Sequence, residues 1–237
     1  MNRPSFHSVM LCALLWGTII LLSGTEMQAA TSEASLDLTP LKTWLSSQRS
    51  IHSVSADFTQ IRAFKTLKSP LTIKGHVWLE SPNRFRWQLG EPPKTIIIGN
   101  RSETMILHPL KHRAEKRQLS TPGSAFQGQG DPFGMMGLSG GHSFEEFQKQ
   151  MRVLAIRSVG ARCHLEMLPR DPQAMGALSS INLDFDTATG EWRSFEIVTK
   201  EGSSILTEFT RVELNSKLPP DLFKYDLSGF TLEDETK

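Results

Sequence analysis

Apolar and polar positions alternate with a period of two through much of the chain. Between Val54 and about Gln118 the segments SADFTQIRAFK, LTIKGHVWLE, RFRWQL, KTIIIG, ETMILH and KHRAEKRQ follow one another. This is the pattern of strands with one face toward a core. Turn residues separate them at Ser69-Pro70, Pro82-Asn83, Pro92-Pro93, Gly99-Asn100 and Pro109. The pattern returns at RVLAIRSV, RCHLEML, SSINLDFD, EWRSFEIVT and SILTEFTRVEL, with a hairpin turn at Thr187–Gly190. Short strands with no helices between them predict an antiparallel meander rather than a parallel α/β sheet.

Three stretches leave this rhythm. Ahead of the strands, Thr39 reads as a helix cap, Pro40 as the first helical residue, and Leu41, Trp44 and Leu45 as an apolar stripe. In the middle, TPGSAFQGQGDPFGMMGLSGGHS (121–143) is rich in glycine yet carries Phe126, Phe133, Met135, Met136 and Leu138, which a solvated linker would not. Ser143 and Glu146 then have capping-box spacing and open a short helix through Phe147. The tail LPPDLFKYDLSGF reads as an irregular edge segment. The predicted fold is mainly β with an α lid: a curved antiparallel sheet forming an open half-barrel, with a hydrophobic cavity covered by short helices. Glycines in such a lid permit hinge motion, and methionines repack around different apolar guests.

The N-terminus lies outside this core. Arg3, the apolar run VMLCALLWGTIILL (9–22) and the small residues of SGTEMQAATS have the layout of a secretory signal peptide, here residues 1–30. The run is shorter than the roughly 18–20 residues of a spanning helix. Residues 31–237 then make one exported domain. Cys163 is the single cysteine left in it, so no internal disulfide is expected. Its phase with Leu165 and Met167 marks it as a small buried hydrophobe. The formal net charge of +1 argues against nucleic acid as a partner, because duplex binding draws on many lysine and arginine contacts to phosphate.

Candidate chemistry is sparse. GLSGG (137–141) has the spacing of a nucleophile elbow around Ser139, but no strand precedes it and the fold class is wrong for that motif. DFDTATG (184–190) approaches a calcium loop, but Ala188 stands where the third ligand belongs, so a hairpin turn explains it better. His108 and His112 form the closest histidine pair, without metal spacing. KHRAEKR (111–117) is the one basic cluster: a solvated strand face, or a dock for an acidic partner or anionic headgroups. Neither an enzyme activity nor a cofactor or metal is expected.

SVSADFTQ (53–60), the Pro82-Asn83-x-Phe85-x-Trp87 segment, the short strand near Ile96–Ile98 and Asp131-Pro132-Phe133 with its Met/Leu neighbours together carry a resemblance. Over roughly residues 38–230 the chain resembles the outer-membrane lipoprotein carrier family (LolA) of Gram-negative bacteria. That resemblance implies a monomeric periplasmic carrier of acylated lipoproteins or lipids. It would receive cargo from an ATP-driven inner-membrane complex and pass it to an outer-membrane receptor. Phe85 and Trp87 would face the cavity while Arg84 and Arg86 face outward, and Phe133, Met135 and Met136 would close over the cargo as lid residues. Family carriers have an arginine just before the Pro-Asn; here that position is Ser81, with Arg84 the nearest substitute. A non-transporting lipid-sensing or binding module of the envelope, or a carrier of another acylated cargo, fits the same features.

Overall fold

The computed structural model describes residues 36–100, 103–118 and 143–234. The signal peptide expected at 1–30, Ser139, and the lid residues Phe133, Met135 and Met136 lie outside them. The described strands form one open twelve-stranded sheet in the spatial order β12-β6-β5-β4-β3-β2-β1-β11-β10-β9-β8-β7. In chain order they are β1 (Ser53–Ala63), β2 (Leu71–Glu80), β3 (Arg84–Leu89), β4 (Thr95–Gly99), β5 (Glu103–His108), β6 (Arg113–Gln118), β7 (Met151–Val159), β8 (Arg162–Pro169), β9 (Leu178–Asp186), β10 (Trp192–Thr199), β11 (Ser204–Leu214) and β12 (Thr231–Asp234). β6 and β12 lie at one margin and β7 at the other, so the curved sheet does not close. The predicted half-barrel is present.

Every pairing is antiparallel except the last, where β12 runs parallel to β6. The tail was expected to be an irregular edge. It crosses the outer face first: Phe223, Leu227 and Phe230 pack on a second core of Ile98, Met105, Leu107 and Ala114. This explains why TIIIG and TMILH are continuous apolar runs. Both faces of β4 and β5 are covered, so neither needs a polar side.

Helix α1 (Thr39–Gln48) starts one residue earlier than the cap assignment implied. Leu38 occupies the cap position, and the Asp37 carboxylate accepts from the Thr39 N–H at 3.0 Å. The Trp44 indole N–H and the Gln48 amide both donate to the carbonyl of Gly190, at 3.2 and 2.9 Å. Those bonds tie the helix to the β9–β10 turn, and Trp44 lies 4.5 Å from the Phe185 ring. Helix α2 (Phe144–Gln150) has the predicted capping box, Ser143 and Glu146 each bonding the other's N–H. Its Phe147 is buried, and Lys42 of α1 lies 4.8 Å over Phe144. Helix α3 (Pro172–Ala177), capped by Asp171, was not anticipated. Its six residues are too few to show a helical period.

Candidate functional site

The concave face is built row by row from cross-strand partners. Phe209 of β11 stands opposite Phe58 of β1, which stands opposite Gly75 of β2, which stands opposite Leu89 of β3. The next row holds Ala56, Val77, Trp87, Ile97 and Ile106, and the one after it Val54, Leu79, Phe85 and Gly99. Large rings alternate with the smallest residues. A Cβ on Gly75 would fall 2.3 Å from the Phe58 ring, and one on Gly99 would fall 3.0 Å from the Phe85 ring. Each glycine thus leaves room for the ring of the phenylalanine directly across the ladder.

Freed to lie over Gly75, the Phe58 ring reaches Trp87 at a centroid distance of 4.4 Å. Phe209 meets both edge-on, at 6.5 Å from Phe58 and 6.4 Å from Trp87, and Trp192 lies 6.2 Å from Phe209. Four rings from β1, β3, β10 and β11 therefore make one apolar wall. Such offset and edge-to-face contacts are each worth about 0.5–1.5 kcal/mol beyond area burial. Val54, Val77, Phe85 and Leu89 continue the wall, all buried in the same cluster.

Polar groups enter the concave face near one end. Gln60 is buried; its amide donates to the Thr207 hydroxyl at 3.1 Å and its oxygen accepts from Arg62 Nε at 2.7 Å. Burial lowers the Arg62 pKa, yet a guanidinium stays charged at neutral pH. Among the described residues no carboxylate pairs with Arg62. At the other end a small pocket opens between Gln48 at the end of α1, Ile51 just beyond it, Leu79, Ser81, Asn83 and Trp192.

The outer face of β1 and β2 carries a different set. Ser55 Oγ lies 2.8 Å from His76 Nε2, His76 Nδ1 lies 2.5 Å from Asp57, and Arg211 pairs with the same carboxylate. Burial holds His76 below the ordinary imidazole value, with Glu213 pulling the other way. The order of groups is that of a nucleophilic triad. Ser55 sits near the start of β1, opposite Trp78 of β2 and Glu213 of β11, beside a register shift between Ser55 and Asp57. The cluster is read as a cross-strand polar network.

The sequence model of the family described as outer membrane lipoprotein carrier protein LolA matches residues 49–226, well over half of the chain. The chain belongs to the LolA family. An outer-membrane lipoprotein carrier protein of Nitrosospira multiformis is 28% identical over 186 residues, 78% of this chain and 82% of that protein. One from Nitrosomonas europaea is 25% identical over 177 residues, 72% of this chain and 76% of that protein. Among solved structures, a LolA-superfamily protein from Nitrosomonas europaea overlaps with a TM-score of 0.41 at 10% identity, covering 78% of this chain and 97% of that one. A conserved protein from Thermus thermophilus overlaps with a TM-score of 0.49 at 8% identity, covering 80% and 94%.

In this LolA-family chain Phe85 and Trp87 stand on the concave wall as their alternation predicts, and Arg84 and Arg86 face the other way. Arg84, the nearest substitute for the family arginine, is engaged on the outer face. It pairs with Glu80 and lies 5.0 Å over Phe223, while Arg86 donates to the Leu222 carbonyl at 3.0 Å. Both hold the tail against the outer face. Phe58, Phe209 and Trp192 were not singled out from the sequence. The available signal for Phe58 was its period-two place in ADFTQ, ten strands away in the chain from its partner in TEFTR. Cys163 is buried beside Ser158, 3.1 Å away, in phase with Leu165 and Met167 as expected.

Proposed function

We propose that this chain is a periplasmic carrier that takes acyl chains of lipoproteins, or of related lipids, against the wall of Phe58, Phe85, Trp87 and Phe209. The observation that carries this is the continuous, buried aromatic wall on the concave face of an open sheet, in a chain of the LolA family. Each methylene taken from water is worth about 0.8 kcal/mol, so lipidated cargo crosses an aqueous compartment only inside such a surface. Phe133, Met135 and Met136 would cover the chains, and the N-terminal 1–30 would direct export. Relatives named outer-membrane lipoprotein carrier proteins support delivery toward the outer membrane. An ATP-driven releasing complex of the inner membrane would be the donor and an outer-membrane receptor the acceptor. Binding and handover require no bond making, so no catalytic group is assigned.

Tryptophan fluorescence tests this with a built-in control. Trp87, Trp192 and Trp44 lie in the concave core, whereas Trp78 faces outward, stacked 4.0 Å from His76. A lipopeptide with brominated acyl chains should quench the concave tryptophans on binding. Trp87→Phe should remove part of the quenching, and Trp78→Phe should remove none. Absence of quenching, together with an empty protein by native mass spectrometry from the periplasm, would leave the wall as plain core.

A further inference from the structure

Antiparallel alternation sends every second connection of a sheet to the same end. The β1–β2 hairpin (64–70), the β3–β4 turn (90–94), the β5–β6 turn (109–112) and the β10–β11 turn (200–203) therefore share one end with α3. Of the nine large apolar side chains exposed among the described residues, five lie here: Phe64, Leu67, Leu71, Leu110 and Met175. The same four turns hold Lys65, Lys68, Lys94, Lys111 and Lys200 against Glu91 and Glu201. In a chain of formal net charge +1 this is a local concentration of positive charge.

The β1–β2 hairpin dominates this end. Its ladder runs out to Arg62 opposite Leu71, while β3 stops at Leu89 opposite Gly75. On that side it overshoots by four residues, about 13 Å at about 3.3 Å each. It is a held projection: Leu67 N–H donates to the Phe64 carbonyl at 2.9 Å, and Lys65 N–H to the Ser203 hydroxyl at 3.3 Å. Lys200 N–H in turn donates to the Ala177 carbonyl at 3.0 Å, joining α3 and Met175 to the same surface.

We propose that this end docks on an anionic lipid bilayer, with Phe64, Leu67 and Leu71 entering the headgroup layer and Lys65 and Lys68 meeting lipid phosphates. Composition chooses the occupant. Protein–protein contacts favour tryptophan, tyrosine and arginine and are depleted in lysine. FKTLKSPL instead interleaves aliphatic and aromatic groups with lysines, whose stems lie along apolar surface while their heads stay in the polar layer. The basic run KHRAEKR adds only Lys111 to this edge. Arg113 and Arg117 pair with Glu115, and Lys116 with Glu103. The carrier reading is not a premise here, although a carrier that draws lipid from a bilayer would work from such a seat.

The test is co-sedimentation of cargo-free protein with phosphatidylcholine vesicles, with and without phosphatidylglycerol. The expected result is partitioning into the phosphatidylglycerol vesicles only, weakened by salt. Each lysine at an anionic surface is worth about fivefold, so Lys65→Ala with Lys68→Ala should lower partitioning about 25-fold. Leu67→Asp should abolish it. These positions lie outside every ladder, so circular dichroism and Tm should stay at wild-type values. Val159→Asp, at the opposite end, should change nothing. Equal partitioning into both vesicle types, none into either, wild-type behaviour of the tip variants, or loss on Val159→Asp would each overturn the proposal. The quenching assay above contains no vesicles, so the two readings fail separately.

Discussion

Gly75→Ala adds one methyl group to the concave wall, and the structure says what it meets. The new Cβ would lie 2.2 Å from the Gln88 carbonyl oxygen and 2.3 and 2.7 Å from two carbons of the Phe58 ring. The carbonyl belongs to the neighbouring strand, so it retreats only by straining the β2–β3 ladder. The ring retreats only by leaving Trp87. Overpacking of this kind costs about 1–3 kcal/mol, and with backbone involved the upper end applies. Restricting the unfolded chain returns about 0.4–1 kcal/mol. The net loss is about 2 kcal/mol, which lowers Tm by roughly 4–8 °C for a domain of this size. Gly176→Ala is the control: nothing lies within 4 Å of its Cβ, and it sits in α3, so a gain of about 0.5–1 kcal/mol is expected. Urea unfolding followed by tryptophan fluorescence compares the two. Adding Phe58→Leu separates the obstacles, with coupling of about 1 kcal/mol expected if the ring carries half the clash. If Gly75→Ala and Gly176→Ala unfold at the same urea concentration, the account of the wall is wrong.

Glu115 gives a pH dependence. Burial pushes its carboxyl up, but hydrogen bonds from Arg117 and Arg113 outweigh this and hold it below its ordinary value. A depressed carboxyl contributes stability that is present above its unfolded pKa, about 4.3, and lost as pH falls through the folded value. Wild-type stability should therefore drop more steeply below about pH 4.3 than that of Glu115→Gln. At neutral pH the variant should be less stable by about 1.5–3 kcal/mol in urea titrations; equal pH slopes would contradict this. Arg62→Ala should weaken capture of an acyl probe with an anionic head about tenfold or more, while leaving a neutral ester probe nearly unchanged. Equal losses for both probes in fluorescence titrations would mean that Arg62 only packs.

The wall was half legible. RFRWQL alternates strictly, and a strand offers only two faces, so Phe85 and Trp87 had to share one and Arg84 and Arg86 the other. Which rings would meet Trp87 was not legible, because Phe58 and Phe209 reach it through the register of three separate pairings. A one-residue slip in any of them would turn a ring to the opposite face. The glycine in LTIKGHVWLE reads locally as a weak point of a strand, and only its partner shows it to be the seat of Phe58.

Local periodicity, caps and turn residues therefore determined nearly all the strands and the helix opened by Ser143, since these depend on neighbours within a few residues. What covers each face was decided by tertiary structure. The runs in TIIIG and TMILH announce strands buried on both sides, but nothing in them names Phe223, Leu227 and Phe230 as the cover. Nor do they say that the chain's last described strand lies parallel to β6. Those contacts join residues more than a hundred positions apart. They depend on where the folded sheet leaves apolar surface uncovered, which no short window of sequence contains.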